Sequence, residues 1–256
     1  MHASIIAHAG QVQGMGLRPI IGRMESRERL IFAMDVEGAD RARRIADALE
    51  GHVGIFKVGL ELFVGSALEG VDIVGELGAR AGVFLDLKLH DIPATVRGAM
   101  RAASGKRQVR FVSVHTSEGP GALRAYVERA GTIGVLGVTV LTSVAPADVA
   151  GLGYSASMDE LVLVRARWAA EAGCAGIVCS GLETRRVREA IGPEMAIVTP
   201  GIRPAWDAQA HDQQRIVTPA AAIRAGADYI VVGRPIRDAV DPARAADMIV
   251  EEMAGI

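Results

Sequence analysis

The chain has 256 residues, half of them hydrophobic and 23% charged, a composition that suits a packed globular protein and excludes a disordered one. A formal net charge of -2 provides no general attraction to nucleic acid or to an anionic membrane. Any anionic ligand must therefore be held by local donors.

Residues 1–28 lack a basic start followed by a long apolar core, so they read as a flexible N-terminal extension, with Met24 as an alternative start. No stretch reaches membrane-spanning length. The two cysteines, Cys174 and Cys179, form neither a disulfide framework nor a zinc spacing, and read as reduced core residues of a cytoplasmic protein. The six histidines are scattered, with no HExxH or close pair, so no metal site is expected.

From residue 29 onward short apolar runs alternate with amphipathic segments. The predicted strands are LIFAMD (30–35), GIFKVG (54–59), VFLDLK (83–88), VRFVSVH (109–115), IGVLGVTVLTS (133–143), AGIVCS (175–180), MAIVTP (195–200) and YIVVGRP (229–235). Helical stretches lie between them, such as 39–50 and 158–173, the second stopping at a glycine. Eight strand-then-helix units in one unbroken chain predict a single α/β domain over 29–256, a (β/α)8 TIM barrel. A doubly wound open sheet is the alternative, but no GxGxxG follows the first strand.

Polar or special residues cluster where these runs end: Asp35, Lys57, Asp86 with Lys88, His115, Thr142 with Ser143, Ser180, PGIRP after the seventh run and GRP after the eighth. In this architecture the C-terminal strand ends converge on one mouth, where active sites lie. Residues two apart on a strand face the same way, so Asp86 and Lys88 are expected to project together, with Asp91 in the following loop. Charges buried there unpaired are costly. A structural ion pair fits the same residues, but an alternating carboxylate, ammonium, carboxylate set favours a reactive site. Arg203 and Arg234, in the last two loops, carry the pattern of a phosphate site. The polar stretch from Arg203 to Thr218 is long for a barrel loop and reads equally as a lid or as an ordinary surface loop. His115 reads as a catalytic acid or as a packing and hydrogen-bonding residue near the mouth, Trp206 as a lid contact or an exposed loop aromatic, and Met100 and Met158 as helix packing residues.

DLKLHDIPATV resembles the signature of the orotidine 5'-phosphate decarboxylase family, in its bacterial form. AMD (33–35), FKVGLELF (56–63), VTVLTS (138–143), TPGIRP (199–204), DQQR (212–215) and VVGRP (231–235) follow in the family's order. The resemblance implies decarboxylation of orotidine 5'-phosphate to UMP without a cofactor. It implies that Asp86, Lys88 and Asp91 are the catalytic array, with Lys88 the proton donor, and that Asp35 and Lys57 contact the ribose. Thr142 and Ser143 would sit by the pyrimidine, Arg203, Gln213, Gly233 and Arg234 would grip the phosphate, and Pro200 would belong to the substrate-binding set. It also implies a homodimer with shared active sites, into which Asp91 and Thr95 reach from the partner subunit. Two rivals differ in chemistry. One is a magnesium-dependent decarboxylase or aldolase for keto-sugar phosphates, from a sister barrel group with a similar Asp-x-Lys-x-x-Asp set. The other is a non-catalytic sensor of a phosphorylated ligand.

Overall fold

The computed structural model describes residues 24–207 and 217–255. Eight strands appear where the apolar runs predict them: β1 (Leu30–Ala33), β2 (Ile55–Gly59), β3 (Gly82–Leu89), β4 (Val109–His115), β5 (Gly134–Val138), β6 (Gly176–Val178), β7 (Ala196–Thr199) and β8 (Tyr229–Val232). All pair in parallel with their sequence neighbours, and β8 pairs with β1, closing the barrel. The helices α1 (Ala39–Leu49), α2 (Leu60–Leu68), α3 (Ile73–Gly78), α4 (Pro93–Ser104), α5 (Pro120–Val127), α6 (Met158–Glu171), α7 (Thr184–Ile191), α8 (Pro219–Arg224), α9 (Arg234–Arg237) and α10 (Pro242–Ala254) fill the connections. Gly173, at φ 78°, follows the end of α6 as the sequence leads one to expect.

Strand alternation divides the apolar residues into two layers. Ile31, Ala33, Ile55, Phe84, Phe111, Leu136, Ala196, Val198, Tyr229 and Val231 fill the barrel interior. Their neighbours in the chain, such as Leu30, Phe32, Phe56, Val58, Val83, Leu85 and Val112, pack outward against the helices. Phe84, Phe111 and Tyr229 meet edge to face at 6.2 and 5.3 Å between ring centres, a favourable arrangement for aromatic quadrupoles. Met100 and Met158 are buried, as are both free cysteines.

The opposite end of the barrel is closed by the described part of the N-terminal segment. Met24 packs against the interior layer, and Ser26–Arg29 forms a 3-10 turn. Arg29 donates to the carbonyls of Ala227 and Asp228. This turn sits so close to β2 that a Cβ on Gly54 would stand 2.6 Å from the Glu28 backbone. Residues 1–23, most of the expected extension, lie outside the described residues.

Candidate active site

Extending each inward row by two residues carries it from the apolar interior to the mouth: Ala33 to Asp35, Ile55 to Lys57, Phe84 to Asp86, Phe111 to Ser113, Val198 to Pro200 and Val231 to Gly233. The barrel thus places a polar layer directly above an apolar one. Lys57, only 7% exposed, donates to Asp35 Oδ1 at 2.8 Å and lies 3.6 Å from Asp86 Oδ2. Lys88 Nζ sits 2.8 Å from the same Asp86 oxygen, and the Ser113 hydroxyl donates to the other at 2.8 Å. Asp35, Lys57, Asp86 and Lys88 therefore form one chain of alternating charge.

Burial alone would push the Asp86 carboxyl up. The Lys57 and Lys88 ammonium groups, with hydrogen bonds from Lys88 and Ser113, outweigh that effect and hold it below the usual aspartate value. Space is also restricted. A Cβ on Gly59, at the end of β2, would stand 2.9 Å from Asp35 Oδ1 and 3.1 Å from Lys57 Nζ, so a side chain there would displace this pair.

Lys88 reaches Asp86 by a route that differs from a regular strand. Leu85 lies opposite Val112, but Leu89 lies opposite Val114, so β3 carries extra residues against β4 over this stretch. Lys88 itself has φ 48°, the one positive value at a non-glycine among the described residues. Its amide, turned away from the strand ladder, donates to Ser113 Oγ at 2.9 Å. Ser113 thus ties the irregular backbone of Lys88 to the carboxylate of Asp86.

Asp91 lies apart from this chain. Its exposed side chain accepts the Ile92 amide at 2.6 Å, and among the described residues no cation comes within 4 Å of it. The loop that carries it is fixed by Tyr126, whose hydroxyl is 3.1 Å from the Asp91 carbonyl and 2.9 Å from Glu118. Thr95, in the first turn of α4, is exposed as well.

The fifth strand is shorter than its apolar run. It stops at Val138, because the Thr139 carbonyl is taken by the Arg165 guanidinium at 2.7 Å and the chain turns at Leu141–Val144. Thr142 and Ser143 consequently stand in a loop past the strand, exposed, and not at its end. His115 ends β4 and packs 5.2 Å from the ring of His90. Burial, then the neighbouring His90 and Lys88, keep its imidazole below the usual histidine value.

On the far side of the mouth, Pro200 is half-buried and Gly201 takes φ 75°, in the left-handed region glycine accepts at little cost. Ile202 bridges to Val217, and the Arg203 amide donates to the Val217 carbonyl, so the ends of the long loop are pinned together. Arg203 is 5% exposed, touches Asp207 at 3.4 Å and has a buried Nε without a partner among the described residues. Gly233 precedes α9, and Arg234 is the first residue of that helix. Gln213, with the DQQR motif and residues 208–216 of the long loop, lies outside the described residues; Trp206 on its near side is exposed.

Ser113 and Gly59 escaped the reading of the sequence. Ser113 had a signal, since it stands two residues after the inward Phe111. Among the described residues, no group of three or more His, Cys, Asp or Glu is placed to hold a metal ion, and no helix is long and apolar enough to cross a membrane.

The model of the orotidine 5'-phosphate decarboxylase / HUMPS family matches residues 28–249. The chain is 48% identical over 233 residues to orotidine 5'-phosphate decarboxylase of Desulfosudis oleivorans, covering 89% of this chain and 93% of the relative. It is 46% identical over 230 residues to the enzyme of that name from Rhodopseudomonas palustris, covering 89% and 95%. The crystal structure of orotidine 5'-phosphate decarboxylase from Lactobacillus acidophilus superposes with a TM-score of 0.76 at 34% identity, covering 88% of this chain and 98% of that one. A match over most of the chain, at these identities and on the same closed barrel, means that this chain belongs to the orotidine 5'-phosphate decarboxylase / HUMPS family.

Proposed function

We propose that this protein is a carboxy-lyase that converts orotidine 5'-phosphate to UMP and carbon dioxide, the last step of de novo pyrimidine synthesis, by charge placement and without a cofactor. The observation that carries this reading is the Asp35, Lys57, Asp86, Lys88 chain at the mouth. Breaking the bond between C6 and the carboxylate leaves its electron pair on C6 in an sp² orbital. The Lys88 ammonium stabilises that carbanion as it forms and then delivers its proton to C6. Asp86, held by Lys57 and Ser113, fixes the ammonium, so little reorganisation is needed when charge develops.

Asp35 and Lys57 contact the ribose hydroxyls, while Thr142 and Ser143 meet the pyrimidine. Arg203, Gln213, Gly233 and Arg234 grip the phosphate, and Pro200 contributes to the substrate pocket. A buried guanidinium at Arg203, whose Nε has no partner among the described residues, supports the phosphate assignment, since an anion would add to its bonding. Lid closure over that phosphate would direct remote binding energy to organisation of the charged chain.

A homodimer with shared sites completes the reading. Asp91 and Thr95 are exposed at the mouth side of α4, and Asp91 has no described cation in its own chain, which suits a role in the partner subunit's site. Leu60 at the start of α2 and Ile92 before α4 add exposed apolar area on that side. The direct test is loss of orotidine 5'-phosphate absorbance with and without EDTA. Turnover unaffected by the chelator is expected. Turnover that depends on added magnesium, or none at all, contradicts the reading and favours the keto-sugar-phosphate chemistry or a sensor.

A further inference from the structure

Arg165 is a buried cation that the decarboxylation chemistry leaves unused. It projects from α6, is 7% exposed, and among the described residues no carboxylate lies within 4 Å of it. Its Nη1 donates to the Thr139 carbonyl at 2.7 Å and its Nη2 to the Tyr154 hydroxyl at 2.7 Å, while Nε is buried without a partner among the described residues. The guanidinium carbon also lies 5.2 Å from the centre of the Tyr154 ring, so the same tyrosine meets the cation with its face and its hydroxyl, but no described carboxylate neutralises the charge. Replacing an incompletely compensated buried charge by an apolar side chain of similar length is often neutral or favourable.

The two groups it grips are the two limbs of one loop. Thr139 is the root, where the chain leaves β5, with its own amide and hydroxyl bonded to the Val178 carbonyl. Tyr154 lies on the return limb, shortly before Ser157 caps α6. Thr142 and Ser143 stand between them. The root and return limbs are joined through the two arms of one planar fork, a geometry that lysine, with a single ammonium, does not reproduce. The charge is also felt at the mouth, where Arg165 contributes, after burial, His90 and Lys88, to the depressed imidazole of His115.

We infer that Arg165, with Tyr154, is a positioning residue for base recognition: it sets the width of the loop that presents Thr142 and Ser143 to the pyrimidine. This rests on the assignment of that loop to the pyrimidine under the proposed function. Arg165 need not touch the ligand, and its removal should affect ligands that carry a base and spare those that carry only sugar and phosphate.

The experiment is calorimetric titration of the full-length protein with UMP and, separately, with ribose 5-phosphate, alongside thermal unfolding. The wild type should bind UMP more tightly than ribose 5-phosphate. Arg165→Met should weaken UMP at least about tenfold and ribose 5-phosphate less than about twofold, with Tm unchanged or raised. Arg165→Lys should fail to restore UMP binding. Tyr154→Phe, which keeps the ring and removes one arm of the grip, should weaken UMP by a smaller factor, and it carries the test if Arg165→Met does not fold. Equal weakening of both ligands, or unchanged UMP binding in the folded variants, overturns the inference while leaving the decarboxylase reading intact. A wild type with no preference for UMP removes the base-reading assignment itself, and the inference with it.

Discussion

The Ser113 hydroxyl donates to Asp86 across 2.8 Å while its oxygen accepts the amide of Lys88, so one small side chain on β4 holds both members of the Asp86–Lys88 pair on β3. Removing it would free a strained backbone amide and strip one hydrogen bond from a buried carboxylate. Each bond of this kind contributes about 1 kcal/mol, more where a charge is involved. Ser113→Ala is therefore expected to lower kcat by about tenfold to a hundredfold with little change in KM. Steady-state kinetics on orotidine 5'-phosphate checks this, and an unaltered kcat would show that Lys88 is held by other means.

Asp86 also makes an acid-stability prediction. Its folded-state pKa is depressed, so the unfolded chain takes up its proton first as pH falls. The stability contributed by the ionised carboxylate is fully present above the unfolded value of about 3.9 and is lost as pH drops through the lower folded value. Denaturant unfolding between pH 5 and pH 2 (about the range that brackets both values) should show a shallower fall for Asp86→Asn than for the wild type. Parallel curves would mean that Asp86 ionises alike in both states.

Much of this arrangement is legible in the residues. The eight apolar runs locate the strands, and the step from Phe84 to Asp86 or from Ile55 to Lys57 marks where an inward row meets the mouth. Three features are not legible. The left-handed conformation of Lys88 comes from a register shift against β4, a tertiary relation that alternation in β3 cannot express. The early end of β5 depends on Arg165, distant in sequence, which captures the Thr139 carbonyl inside a run of β-formers. Gly59 reads as an ordinary strand glycine until Asp35 and Lys57 are seen to converge over it.

The position of Asp91 leads to a complementation experiment. Lys88→Ala and Asp91→Ala should each be inactive alone. If Asp91 serves the neighbouring subunit, a heterodimer of the two variants contains one site lacking both residues and one lacking neither, as two-fold symmetry requires. Mixing should restore activity to about half that of wild type per heterodimer. Exchange demonstrated by mass spectrometry without any return of activity would place Asp91 in its own chain's site.

The central claim is that Lys88, beside Asp86, is both the cation that stabilises the carbanion and the acid that protonates it. Single-turnover decarboxylation by Lys88→Ala, measured together with UMP affinity, tests it most directly. Loss of at least about 10⁴-fold in the chemical step is expected, because two contributions vanish together, while UMP still binds within about tenfold of wild type through the phosphate and base contacts. A variant that retains more than about a hundredth of the wild-type rate would contradict the assignment of Lys88 as proton donor.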